Sequence, residues 1–160
     1  MTHQPVATLV HRRNGALHVF LRRHAARTQV SALSGVPLPE CFTRIHAADL
    51  RDAQRQSARV RADAGGDDCT VFVDIEVLID SDVRAALHAT KQLGQTAAAT
   101  QAPLRYVGTP QGLAGYIADL HTMGIADGVT LIPMRAADSA QRIIDDVLPM
   151  LGVDASRLAA

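Results

Sequence analysis

Tryptophan is absent and aromatic residues make up only 3% of the chain, too few to build stacking platforms for single-stranded nucleic acid. Formal charge is zero, so the molecule as a whole has no field that would gather nucleic acid or an anionic membrane around it. The longest apolar runs fall far below the about 20 residues needed to span a bilayer. No nucleic-acid partner and no membrane partner are therefore expected. Cysteine occurs twice, at Cys41 and Cys69, without CxxC spacing and with no secretory leader ahead of it, so neither a zinc site nor a disulfide framework is supported. Both cysteines read as buried small apolar residues of a reducing compartment, which places the chain in the cytoplasm. A GxSxG elbow, a GxGxxG turn and a Walker loop are all missing. His11, His18, His24, His46, His88 and His121 lack HxxxH or HExxH spacing, which argues against metal ligation.

What is present is a chain of 160 residues, 48% of them hydrophobic, enough for a single domain with its own core. Charge is distributed unevenly. Residues 1–39 hold Arg12, Arg13, Arg22, Arg23 and Arg27 and no carboxylate, a basic strand and helix segment attached to an acidic body.

Pro5 to His11 reads as a short strand ending at the turn Arg12-Arg13-Asn14-Gly15. From Ala16 to about Thr28, Leu17, Phe20, Leu21 and Ala25 fall at helical spacing, which predicts a helix. Ser31 to Pro39 predicts a loop or a very short strand. Cys41 to His46 predicts a second strand, and Asp49 to about Asp63 a helix with Leu50, Ala53, Ser57 and Val60 on one side. The strand pattern is clearest in TVFVDIEVLI, Thr70 to Ile79. Its alternation puts Val71, Val73, Ile75, Val77 and Ile79 on one face, and Thr70, Phe72, Asp74, Glu76 and Leu78 on the other. A helix from about Ser81 to Leu93 follows, and residues 94–103 read as a flexible loop. Next, Thr109 caps a helix, Pro110 suits its first position and Gly124 its left-handed stop, with Leu113, Ile117 and Leu120 as the buried stripe. Gly128 to Met134 predicts a strand. Ile143, Ile144, Val147, Leu148 and Leu151 make a last amphipathic helix, and residues 153–160 form a tail.

Strands alternating with helices call for parallel pairing through right-handed crossovers. About four such strands make half of an eight-stranded α/β barrel, with Asp74 and Glu76 facing its interior. An open doubly wound sheet would require helices on both faces of TVFVDIEVLI, which those carboxylates argue against.

The segment VGTPQGLAGYIADLHTMGIADGVTLIPM resembles the closing unit of the luciferase-like flavin-dependent monooxygenases, and RIIDDVLPMLGV resembles their final helix. TVFVDIEVLIDSD is similar to the preceding strand and its acidic turn, and CFTRIHAADLRDAQRQSARVRADAG to the strand and helix before that. The likeness covers residues 40–152 and corresponds to the C-terminal half of the family's barrel. It implies a partial TIM-type barrel and a flavin (FMN) or deazaflavin cofactor at the C-terminal strand ends, with monooxygenase or other oxidoreductase chemistry in the assembled form. A half barrel has exposed strand edges, which implies a homodimer or a complementary barrel-half protein as partner. The alternative is a noncatalytic homologue that acts as a binding or assembly partner and holds no cofactor.

Two sites follow from the residues. Arg12, Arg13, Asn14 and Gly15, ahead of a helix start, offer backbone N–H groups and two guanidinium groups to a cofactor phosphate. Asp74 and Glu76, two apart on a strand, share a face and can serve as an acid/base pair or bind a cation; paired carboxylates of this kind more often bind arginine. His11 and His46 each follow a strand, where barrel chemistry usually sits. No catalytic residue is assigned.

Overall fold

The computed structural model describes residues 15–22, 30–32, 39–65, 69–93, 103–135 and 138–153. Their centre is the strand read most clearly from sequence, β4 (Thr70–Ile79). The other strands are β1 (His18–Arg22), β2 (Val30–Ala32), β3 (Phe42–Ile45), β5 (Leu104–Gly108) and β6 (Gly128–Pro133). They form one sheet ordered β2, β1, β6, β4, β3, with β5 also on β4. All pairings are parallel except that of β1 with β2. β3 pairs with Thr70 to Val73 and β5 with Ile75 to Ile79, while β6 pairs with Phe72 to Val77 on the opposite edge. Thus β3 and β5 share one edge of β4 end to end.

The helices are α1 (Leu50–Asp63), α2 (Val83–Gln92), α3 (Pro110–Thr122) and a C-terminal segment. That segment is α4 (Asp138–Arg142), a wider π-helical turn (Ile143–Val147) and α5 (Leu148–Met150). Each long helix begins on a side-chain cap: Asp49 accepts from Asp52 N–H, Asp82 from Ala85 N–H and Thr109 from Gly112 N–H. Such caps satisfy otherwise orphaned N–H groups. α3 stops at Gly124, whose φ of 68° is open to glycine at little cost.

Val71, Val73, Ile75, Val77 and Ile79 face the main core, where they meet Val19 and Leu21 of β1 and Val129 and Leu131 of β6. Ala53 of α1, Leu113, Ile117 and Leu120 of α3, and Ile143, Val147 and Leu148 of the C-terminal segment join them. On the other face Leu78 and Val107 pack against Ala86 and Ala89 of α2 and against Met134. These assignments explain the winding. β3 reaches β4 through α1 on the first face; β4 reaches β5 in the reverse direction through α2 on the second; β5 crosses back past β4 to β6 through α3 on the first. Crossovers of a single hand impose this rule, because reversing the direction of travel reverses the face.

Several expectations are corrected. The predicted helix from Ala16 is strand β1 over His18 to Arg22. Leu17, Phe20 and Leu21 fit a helical period in a short window, but Val19 and Leu21 also alternate with His18 and Phe20, and pairing to β6 favours that period. β5 was unforeseen; it lies between the predicted loop at 94–103 and the Thr109 cap. Leu50 is exposed rather than on the buried side of α1, and Cys41 is exposed while Cys69 is buried. Helices on both faces of TVFVDIEVLI, disfavoured on sequence, are present in the described residues. The α/β class with a mainly parallel sheet and alternating helices stands. Here β6 lies between β1 and β4, and α2 lies on the second face. The predicted strand Pro5 to His11 and most of the loop at 94–103 lie outside the described residues.

Candidate functional site

The second face of the sheet carries the polar chemistry. Asp74, at the middle of β4, is fully buried. Arg44 of β3 donates to it from two nitrogens, Nε to Oδ1 at 3.1 Å and Nη2 to Oδ2 at 2.6 Å. His46, just past the end of β3, brings Nδ1 to 3.2 Å from the same Oδ2. Sequence alternation explains the meeting. Arg44 is in register with Phe72, so its side chain projects on the face that Phe72 and Asp74 share. A buried carboxylate is tolerated only when paired and hydrogen-bonded, and this one has a forked guanidinium and an imidazole.

The arrangement has a chemical capacity beyond charge balance. A carboxylate facing Nδ1 orients an imidazole and leaves Nε2 as the nitrogen that exchanges a proton. The His46 side chain is 60% exposed, so that nitrogen is not sealed within the core. One turn of the ladder further, Arg105 of β5 donates to Glu76 Oε2 at 2.8 Å from Nη2 and 3.0 Å from Nε. The two carboxylates read from sequence as a coupled pair are thus each bound by a separate arginine from a neighbouring strand.

Aromatic residues occupy the start of the same face. Phe20, Phe42 and His18 surround Phe72 with ring centroids 5.0, 5.4 and 5.5 Å away, each edge-on. Gly128 makes the seat: a Cβ there would lie 2.5 Å from the Phe72 ring. Phe20 and Phe72 are buried, whereas Phe42 is 45% exposed. The His18 imidazole sits with Nδ1 buried and unpaired. Burial holds its pKa below the ordinary value; nearby Asp127 pulls the other way, and His121 adds to the lowering.

The C-terminal strand ends, where doubly wound sheets usually hold ligands, are closed by the chain's own groups. Asp82 and Thr109 occupy the N-termini of α2 and α3, and Asp80 N–H donates to the Gly108 carbonyl. Tyr106 hydroxyl reaches the Thr109 carbonyl at 3.4 Å, and burial raises its pKa. Arg142 approaches Asp80 at 3.7 Å.

Of the expected phosphate site, Arg12, Arg13 and Asn14 lie outside the described residues. Gly15 is exposed, and its carbonyl lies 3.1 Å from His121 Nε2. Strand β1, not a helix, follows it, so the helix start on which that reading depended does not form there. A flavin phosphate needs N–H or guanidinium donors converging on one point; the described residues do not build such a cradle. His88 is exposed and His11 and His24 lie outside the described residues. Among the described residues no group of three or more His, Cys, Asp or Glu side chains could hold a metal ion, and no helix is long and apolar enough to cross a membrane.

Arg44 was missed on sequence. The available signal was its place two residues before His46 on a predicted strand, but which strand β3 would join was not written locally. No family model matches the chain, and no curated protein matches it.

Proposed function

We propose that this chain is a luciferase-like monooxygenase-related α/β module that works as a cytoplasmic subunit of an assembly, a homodimer or a pair with a complementary barrel-half protein. FMN or deazaflavin oxidoreductase chemistry belongs to the assembled form. The observation that carries the assembly reading is on α2. This helix buries Ala86 and Ala89 against the second face, yet on its outer side Val83 and Leu87, one turn apart, are 53% and 52% exposed. A helix apolar on two sides has a second surface to cover. The resemblance of residues 40–152 to the family's C-terminal half supports the same reading.

A second reading, a noncatalytic assembly partner, is favoured by the second face itself: Asp74 and Glu76 are both held by arginines of this chain. Titrating FMN into the wild-type chain and into Leu87→Asp separates the readings. Binding that follows the assembled fraction, and is lost with it in Leu87→Asp, supports the oxidoreductase subunit. An assembly that binds neither FMN nor a deazaflavin leaves the noncatalytic partner. FMN bound equally well by a dilute, unassembled chain contradicts both.

A further inference from the structure

The beginnings of β3 and β4 bring the two cysteines together although they lie 28 positions apart in the chain. Phe42 is in register with Thr70, so Cys41 and Cys69 form the next pair along the ladder. Thr70 N–H donates to the Cys41 carbonyl at 3.2 Å and fixes the backbone there. The two cysteines are not joined by a disulfide, and their Sγ atoms are 3.6 Å apart. Neighbouring strands lie about 4.8 Å apart, inside the Cα separation of about 4.4–6.8 Å that a disulfide spans. Closing the sulfurs to a bond of about 2.05 Å requires side-chain torsion and no rearrangement of the sheet.

The two sulfurs are unequal. Cys41 is exposed, while Cys69 is 3% exposed. Thr43 Oγ1 lies 3.4 Å from Cys69 Sγ, where a hydroxyl can donate to a thiolate as it forms. This is the division of labour between a cysteine that meets an oxidant and one that resolves the product.

We propose that Cys41 and Cys69 form a reversible dithiol/disulfide site oxidised by hydroperoxides. The Cys41 thiolate attacks one peroxide oxygen; a sulfur–oxygen bond forms, the O–O bond breaks, and with hydrogen peroxide the departing oxygen leaves as water after taking up a proton. Cys41 is then a sulfenic acid. The Cys69 sulfur attacks the Cys41 sulfur, the S–O bond breaks, and the hydroxyl leaves as a second water with the proton from Cys69. Two thiols are oxidised and one peroxide is reduced to two waters. A thiol reductant reverses the bond by exchange. The disulfide ties edge strand β3, which carries Arg44, to the central strand, and it stands independently of the functional reading above.

The test is to treat the intact chain with hydrogen peroxide at low protein concentration and follow thiols, mass and peptides. The proposal expects both thiols to disappear together, one peptide pair cross-linked through Cys41 and Cys69 within a single chain, and full recovery with dithiothreitol. The melting temperature should rise by about 5–10 °C on oxidation, and Cys41→Ser and Cys69→Ser should each remove that rise. In Cys69→Ser the exposed Cys41 should instead stop at sulfenic acid, trapped by dimedone. Wild-type chain that stops at Cys41 sulfenic acid, cross-links only between chains, or keeps both thiols while binding a soft metal ion overturns the proposal.

Discussion

The two faces of the sheet are built on opposite principles. The first is aliphatic throughout, with Val73, Ile75, Val77, Val129 and Leu131 each at most 1% exposed beneath α1, α3 and the C-terminal segment. The second mixes a buried Asp74, two arginine–carboxylate pairs and four aromatic rings, and α2 packs only against the Leu78 and Val107 end. The first face supplies most of the stability, because apolar burial scales with area and tolerates small shifts. The second supplies specificity, because a buried carboxylate accepts few partner geometries. Between them they decide which strand lies beside β4.

Substitutions on each side should separate these roles. The largest effect is expected on the first face: Leu131→Ala, at the fully buried centre of β6, should cost about 3 kcal/mol in urea unfolding. A loss below about 1 kcal/mol would move the core elsewhere. On the second face Arg44→Ala leaves Asp74 with His46 alone and should cost about 2 kcal/mol. Replacing both partners, Arg44→Leu with Asp74→Leu, should recover most of that loss, since a buried ion pair exchanged for apolar groups is often neutral. A double variant as unstable as the two single losses combined would refute the clasp.

The smallest effect is a dependence on pH. The folded pKa of His18 lies below its unfolded value of 6.5, so between the two the unfolded chain binds more protons and stability rises with pH. Stability should therefore fall as pH drops below about 6.5, and His18→Phe, which keeps a ring beside Phe20 and Phe72, should flatten that part of the profile. The opposite slope, with the wild type gaining stability in acid relative to His18→Phe, would mean that Asp127 outweighs burial at this site.

How much of this was written in the sequence depended on the range of each interaction. β4 and α3 were legible because their signals are local and redundant: ten alternating residues in one, and cap, proline, stripe and glycine stop in the other. β1 was misread because five residues of LHVFLRR satisfy two periods at once, and only pairing with β6 chooses. β5 was missed because LRYVG is short and lies between an alanine-rich stretch and the Thr109 cap, with no turn signal of its own. In the site, the shared face of Asp74 and Glu76 was legible and so was their preference for arginine. Arg44, Arg105 and the approach of His46 were not, since all three depend on β3 and β5 sharing one edge of β4. The contact of Cys41 with Cys69 was hidden for the same reason.

The account rests on a chain that completes its surface with another. Sedimentation equilibrium of the purified protein, run from dilute to concentrated solution, addresses this directly. The predicted result is a species at a multiple of the 17.0 kDa chain mass that Leu87→Asp returns to a single chain. A wild-type protein that stays at one chain mass at every concentration, with or without FMN, would contradict it.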